Sequence, residues 1–299
     1  MEKVTFGIHW LAFTIHAPRD QAFNIYDILL KDRFGEMVEM GHGGRGFKEI
    51  WHSLMEFKIY LNPVQEDREY FHYEIPGQAC ELISWDYFHA LGVLLESNYK
   101  DAYNFTRLDF AFDNLGFTPE QAEQEIIENN IRTLGKRENL VVHKSPLGKR
   151  DNGEIGTYTV EFGLREADRR IRIYNKRGYT RLEIETRDFR AQIIAQDLLL
   201  AEDVSKWFSI SIGHLRDYID FYTDWWQEFI SGEARAWATI GDAKELTVTR
   251  MVNWLDRQVM PALSVAIDIL PPEAIDKLIK RGRSRRGAKY DNLLENMGK

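Results

Sequence analysis

The stretch RRIRIYNKRGYTRLEIETR, Arg169 to Arg187, decides the architecture. Alternate side chains of a strand share a face. In IRIYNK, Ile171 and Ile173 therefore turn to a core while Arg172, Tyr174 and Lys176 share the other face. In RLEIETR, Leu182 and Ile184 are apolar, and Arg181, Glu183 and Glu185 lie opposite them. Roughly four residues around Gly178 join the two runs, which suits an antiparallel hairpin. The two polar faces then coincide, with Glu183 or Glu185 beside Tyr174 depending on register.

A third run, RLDFAFD, repeats the pattern upstream. Leu108, Phe110 and Phe112 form its apolar face, and Arg107, Asp109, Ala111 and Asp113 form the other. If this strand joins the same sheet, Asp109 comes to the hairpin's polar face and Ala111 leaves room above it. Two meanings fit such a face. Antiparallel sheets commonly carry solvated cross-strand Arg–Glu pairs contributing about 0.2–1 kcal/mol each. Alternatively, carboxylates and phosphate oxygens could hold a hard divalent cation. Arginine and lysine would then bind phosphate, and a tyrosine of ordinary pKa about 10 would need such help to act as a nucleophile. Alternation alone leaves both open.

Outward from these strands, VTFGIHWLAFTI, FKIYLNP and YFHYEIPG read as further strands, and DQAFNIYDILLKDRF and SWDYFHALGVLLES as helices. GHGGRGF, Gly41 to Phe47, reads as a hairpin connection; no GK[ST] follows to make it a phosphate loop. Thr118-Pro119-Glu120-Gln121 combines an N-cap, a proline at N1 and a capping-box glutamine, so a helix is predicted from there to about Leu134, stopping at Gly135. Leu140 to His143 reads as a strand and TYTVEFG as another. No internal repeat is visible. The predicted fold class is α+β: a largely antiparallel sheet with helices on one face, followed by a helical C-terminal region. The division falls near 190, giving a domain of residues 1–190 and a helical region of 191–299, for origin recognition or dimerisation, with a basic tail at 277–289. Trp207, Trp225, Trp226, Trp237 and Trp254 are expected in helical core.

The 299 residues carry a net charge of −8, which argues mildly against a nucleic-acid partner, because phosphate binding usually leaves a basic footprint. The charge is unevenly spread. Arg165 to Arg190 holds nine Arg or Lys against five acids, and Lys277 to Lys289 holds seven and no acid. One cysteine, Cys80, excludes an internal disulfide and a Cys-rich zinc site. No apolar run is long enough to cross a membrane, and the N-terminus shows no export signal, so a cytoplasmic protein is expected.

The string IRIYNK, preceded by Phe162-Gly163-Leu164-Arg165-Glu166-Ala167-Asp168, resembles the active-site segment of the replication initiation factor family (Rep_trans). That family comprises rolling-circle plasmid initiators and related relaxases of conjugative elements. RLDFAFD resembles its R-x-D-x-A-x-D strand, RLEIETR its R-x-E-x-E strand, and HYEIPGQACELI its strand and turn before the first long helix. The resemblance spans about residues 40–190. It implies a metal-dependent DNA nicking-closing enzyme that forms a 5′-phosphotyrosine and frees a 3′-OH primer. By position, Tyr174 is the nucleophile, Asp109 and Glu183 the first-choice ligands of Mg²⁺ or Mn²⁺, and Asp113 and Glu185 the second. Arg107, Arg165, Arg172, Lys176 and Arg181 would contact phosphate. Single-stranded or hairpin DNA, a second copy of the chain and a host helicase are the implied partners, with no membrane.

Tyr179, near the hairpin tip, is the rival nucleophile. Other chemistries lack their residues: no His-hydrophobic-His pair occurs among the eight histidines, and no HExxH. His214-Leu215-Arg216 is one residue short of the HxxR of tyrosine recombinases. A relaxase acting at a transfer origin and a catalytically inactive DNA-binding regulator remain the alternatives.

Overall fold

The computed structural model of the protein describes residues 4–53, 55–65, 68–149, 155–176, 178–201, 203–230 and 260–284. They belong to two compact units, Met1–Ala236 and Trp237–Lys299.

The first unit is built on a sheet whose ten described strands all pair antiparallel. In chain order these are β1 (Thr5–Ile15), β2 (Met37–Glu39), β3 (Phe47–Ser53), β4 (Lys58–Pro63), β5 (Phe71–Ile75), β6 (Tyr103–Leu115), then, after a short β7 (Ile131–Thr133), β8 (Leu140–Lys149), β9 (Ile155–Phe162), β10 (Arg169–Lys176) and β11 (Tyr179–Arg187). Their order across the sheet is β2-β3-β4-β5-β1-β6-β11-β10-β9-β8, while β7 pairs with β12 (Ile219–Phe221) in a separate ribbon. The three strands read from alternation lie side by side at β6, β11 and β10, as the coincidence of their polar faces requires.

One face of the sheet is the core. Leu108, Phe110 and Phe112 of β6, Ile171 and Ile173 of β10, and Leu182 and Ile184 of β11 are buried. They pack in one cluster with Phe88, Leu91 and Leu95 of α3 (Trp85–Asn98) and Ile194 and Leu198 of α5 (Asp188–Leu199). Each such side chain stabilises the fold by about 1.5–3 kcal/mol on burial. On β1 and β5, Phe13 stacks on Tyr73 with centroids 4.8 Å apart and planes 7° apart. Short helices α1 (Lys31–Phe34) and α2 (Gly77–Cys80) follow β1 and β5. The segment predicted as one helix over 20–34 is broken into a 3-10 turn (Arg19–Gln21), a π-helical stretch (Tyr26–Leu30) and α1.

The capping box forms as expected at the start of α4 (Pro119–Glu128), where Thr118 Oγ1 accepts from the Gln121 amide. The helix stops earlier than predicted. Asn129 adopts a left-handed φ of 62°, which asparagine tolerates at a helix end, and the chain enters β7 instead of running to Leu134. The expected division near residue 190 does not coincide with a break in packing. Trp207 of α6 (Lys206–Tyr218) and Trp226 of α7 (Asp224–Ile230) lie in the same core as the sheet, with Trp225 half-buried against it. The compact unit therefore extends to Ala236. Trp237 and Trp254 lie outside the described residues.

In the second unit, α8 (Met260–Ile269) and α9 (Pro272–Ser284) are joined at Leu270 and Pro271. Lys277, Lys280, Arg281 and Arg283 line exposed positions of α9; the rest of the basic tail to residue 289 lies outside the described residues.

Candidate active site

The hairpin register places Arg172 opposite Glu183 and Tyr174 opposite Arg181, with Glu185 opposite Arg170. On its other side β11 pairs with β6, setting Glu183 against Ala111 and Glu185 against Asp109. Neither glutamate thus faces Tyr174 directly. Tyr174 reaches diagonally, and its Oη donates to Glu183 Oε2 over 3.0 Å. Such diagonal reach is within the range of aromatic side chains.

Glu183 is the hub. It is 1% exposed, and Arg172 Nη2 donates to Oε1 at 2.7 Å while His9 Nδ1 lies 3.1 Å from the same oxygen. Burial pushes its carboxyl up, but His9 and Arg172 outweigh burial and hold it down at about 2. Glu183 is therefore ionised at neutral pH. Tyr174 has the opposite bias. Burial and the neighbouring Glu183 charge push its phenol up to about 12, so it is protonated until something cationic arrives.

His9 is the residue that alternation could not find. A β-bulge in β1, where Ile8 pairs with Phe110 and Trp10 with Asp109, makes His9 the extra residue. Bulges re-aim side chains next to active sites, and here the bulge turns the imidazole toward Glu183. Gly77, at the start of α2, makes room for it: a Cβ there would lie 2.8 Å from His9 Cε1 and Nε2.

The remaining acids are each clamped by cations. Asp109 is fully buried and receives Arg107 Nε at 3.0 Å and Nη2 at 2.6 Å. Burial still pushes its carboxyl up to about 7, with Glu183 and Glu185 adding to the rise and Arg107 opposing it. Glu185 accepts from Arg170 (2.8 Å), Arg107 (3.2 Å) and Arg187 (2.6 Å). Its carboxyl lies below the usual range because these arginines outweigh burial. Asp113 takes two bonds from Arg181 and one, at 3.4 Å, from the Tyr179 hydroxyl. Tyr179 therefore belongs to the far end of the face. It stands four residues from Glu183 along β11, about 13 Å at strand rise.

Of the predicted phosphate-binding residues, Arg107, Arg172, Lys176 and Arg181 lie on this face. Arg165 does not: it stands in the exposed turn between β9 and β10, at the opposite end of β10 from Tyr174. Gly163 opens that turn. Its φ is +107° and a Cβ would meet the Tyr218 hydroxyl at 2.6 Å, so both conformation and space require glycine.

Above the face lies a cavity of about 980 Å³ bordered by Tyr174, Lys176, His9, Trp10, Glu81 and Lys58. A second, of about 540 Å³, shares His9 and Glu81 with it and is also lined by Gly7, Ala111, Asp113 and Arg181. Among the described residues no group of three or more His, Cys, Asp or Glu side chains is arranged to hold a metal ion. The donor chemistry does fit a hard cation bound through two carboxylates and completed by phosphate and water. Glu183 is ionised, and Asp109 is an acid whose charge is penalised by burial and by two neighbouring carboxylates, a penalty that an added cation relieves.

A family profile described as replication initiation factor matches residues 103–280. The fold is shared with a solved structure of a rolling circle replication initiator protein from Geobacillus stearothermophilus, at 22% identity and a TM-score of 0.63, covering 78% of this chain and 98% of that one. No curated protein matches the sequence. The profile takes in β6, β10 and β11, the strands that carry Asp109, Tyr174 and Glu183, and ends within α9; the chain belongs to the replication initiation factor family.

Proposed function

We propose that the protein starts rolling-circle replication by nicking and rejoining one DNA strand through Tyr174. Tyr174 Oη attacks the phosphorus of the scissile diester. The bond from phosphorus to the 3′ oxygen breaks, giving a 5′-phosphotyrosine and a 3′-hydroxyl that primes synthesis. The phenolic proton passes to solvent and the leaving 3′ oxygen takes one up. Rejoining is the reverse, with a 3′-hydroxyl displacing the tyrosine.

The observation that supports this most is the placement of Tyr174: it borders an open cavity while its hydroxyl is aimed by an ionised, buried glutamate. Held at about 2, Glu183 is too weak a base to take the phenolic proton and instead orients the hydroxyl. Arg172 and Arg181 flank the tyrosine and stabilise charge on the phosphate as the transition state forms. Glu183 and Asp109 would hold Mg²⁺ or Mn²⁺, which supplies charge neutralisation at the phosphate and lowers the phenol's pKa.

The test is a nicking assay on supercoiled and single-stranded DNA with and without Mg²⁺ or Mn²⁺. A covalent protein–DNA adduct absent in Tyr174→Phe and present in Tyr179→Phe is the expected result. Nicking at wild-type rate by Tyr174→Phe would sink the proposal. Mapping the nicked nucleotide on the gene's own replicon separates a replication origin from a transfer origin.

A further inference from the structure

The sheet order reads the same from both edges. Strand β1 is followed by a helical segment, a four-strand meander β2–β5 whose last strand pairs with β1, and then α3. Strand β6 is followed by α4, a four-strand meander β8–β11 whose last strand pairs with β6, and then α5. β1 and β6 pair antiparallel at the centre, so a pseudo-twofold axis normal to the sheet passes between them. The two closing helices meet as well, with His89 Nδ1 of α3 2.9 Å from the Leu199 carbonyl of α5.

Once the registers are matched, a repeat hidden in the sequence emerges, contrary to the expectation of none. Ala12-Phe13 of β1 corresponds to Ala111-Phe112 of β6, Lys58-Ile59-Tyr60 of β4 to Arg172-Ile173-Tyr174 of β10, and Glu74-Ile75 of β5 to Glu183-Ile184 of β11. The cross-strand rows agree: Ala12, Glu74 and Lys58 lie opposite one another as do Ala111, Glu183 and Arg172. Three short motifs on three strands, in one register, are hard to obtain from alternation alone.

The first copy has kept the hub and lost the nucleophile's setting. Glu74 is 1% exposed, with Lys58 Nζ at 3.7 Å and Arg45 Nη2 at 2.8 Å. Tyr60, its phenol raised by burial and by the Glu74 charge, is only 4% exposed, lying among Phe47, His72 and the Arg45 guanidinium 5.7 Å from its ring centre. The glycine-rich turn Gly41–Phe47 supplies Arg45 and Phe47. Where the second copy has Asp109, Asp113, Arg181 and Glu185, the first has Trp10, Thr14, His72 and Pro76. Among the described residues at these equivalent positions, one carboxylate and a covered tyrosine supply neither the acids for a cation nor an open nucleophile. Its cations are open. Arg45's side chain is 50% exposed, and Lys58 borders the same 980 Å³ cavity as Tyr174.

We infer that the first half of the sheet is an internal copy of the catalytic half, kept as a second binding centre in which Lys58 and Arg45 hold a backbone phosphate of the DNA strand whose scissile phosphate sits at Tyr174. This rests on the DNA-nicking function proposed above. From β4 to β10 is five interstrand steps, about 24 Å along the sheet at ~4.8 Å each, so the strand crosses several nucleotides between the two centres. Recognition is of phosphate charge and is blind to sequence.

The test is binding of fluorescent mixed-sequence single-stranded oligonucleotides, long enough to span both centres or only a few nucleotides, over a salt series. The variant is Arg45→Gln/Lys58→Gln/Glu74→Gln, so that no buried carboxylate is left without its cations. Two lost phosphate contacts predict a decrease in salt slope of about 1.4 for a single strand, and affinity for the long oligonucleotide about tenfold lower. The short oligonucleotide binds as before. A folded variant with wild-type affinity and slope for the long oligonucleotide overturns the inference. Should the variant fail to fold, lysine acetylation footprinting of the wild-type chain decides: Lys58 protected by long but not short DNA supports the second centre, and Lys58 equally reactive with and without bound DNA overturns it. The two proposals fail separately. Loss of binding in the variant with no adduct in the wild type removes the nicking function alone, and adduct formation with unaltered binding removes this centre alone.

Discussion

Tyr174 hydrogen-bonds Glu183 diagonally across the hairpin, at 3.0 Å, while its direct cross-strand neighbour is Arg181. The pair sets two opposed demands on one carboxylate: its charge aims the phenol and also raises the phenol's pKa. Glu183→Gln keeps a hydrogen-bond acceptor and removes the charge. Nicking is expected to fall about 10²–10³-fold, the scale on which single preorganised polar groups contribute to catalysis. Stability should fall by only about 1–3 kcal/mol, because Arg172 is 30% exposed and water partly compensates it. Single-turnover nicking and chemical denaturation measure the two. Full activity in Glu183→Gln would contradict the role of the charge.

His9 can be moved without touching it. In Gly77→Ala the new Cβ would sit 2.8 Å from the His9 ring and 3.2 Å from its carbonyl oxygen. The ring is the part free to give, so it should rotate off Glu183. The expectation is a nicking rate about tenfold lower with a melting temperature within a few degrees of wild type. The His9 imidazole resonances should shift in a nuclear magnetic resonance spectrum. Unchanged resonances and rate would show that the gap beside Gly77 has no part in placing His9.

How much of this was legible beforehand follows the physics of each element. Period two sorted β6, β10 and β11 correctly because each has one apolar and one polar face, and it put Tyr174 on one polar face with Glu183 or Glu185; Asp109 joins them because β6 pairs with β11. Alternation carries no information on a bulge, so His9 stayed hidden in VTFGIHWLAFTI. It also says nothing of which neighbours a strand takes. The Lys-Ile-Tyr of β4 and Arg-Ile-Tyr of β10 become equivalent only once β1 and β6 are seen paired at the centre of the sheet. The helix predicted to run to Leu134 ended at Asn129, where a left-handed residue overrode periodicity.

His72 makes the fold acid-sensitive. Burial holds its imidazole down at about 3, and the Arg45 charge adds to the effect; Thr14 Oγ1 is 3.0 Å from Nδ1. The unfolded chain binds a proton near pH 6.5 and the native state does not. The native state is therefore fully favoured above that pH and loses ground as pH falls from 6.5 toward 3, by up to about 5 kcal/mol at 1.36 kcal/mol per pH unit. His72→Gln should flatten this part of the stability-against-pH curve. Urea unfolding at pH 7.5, 6, 5 and 4 is the measurement, and parallel curves for the two proteins would refute it.

Asp109 bears the reverse sign. Burial raises its carboxyl to about 7, so the native state prefers the protonated form while the unfolded chain ionises near 3.9. The mismatch destabilises the fold above pH 3.9, grows to about 4 kcal/mol as pH reaches 7, and is constant above that. Asp109→Asn removes the mismatch but weakens the bidentate grip on Arg107, which keeps its bond to Glu185 and its place 4.1 Å from the Trp10 ring centre. A net gain of up to about 4 kcal/mol is expected at pH 8, fading to nothing near pH 4, since the raised carboxyl already includes the opposing pull of Arg107. The same substitution should abolish metal-dependent nicking, because a cation is what would make the ionised form of Asp109 favourable. In the wild type, titration with Mg²⁺ near pH 6.5 should release protons, read as a dependence of the calorimetric heat on buffer ionisation enthalpy. Asp109→Asn should lose that dependence. An Asp109→Asn protein less stable than wild type at pH 8 would mean that the ion pair with Arg107 outweighs the burial of the charge.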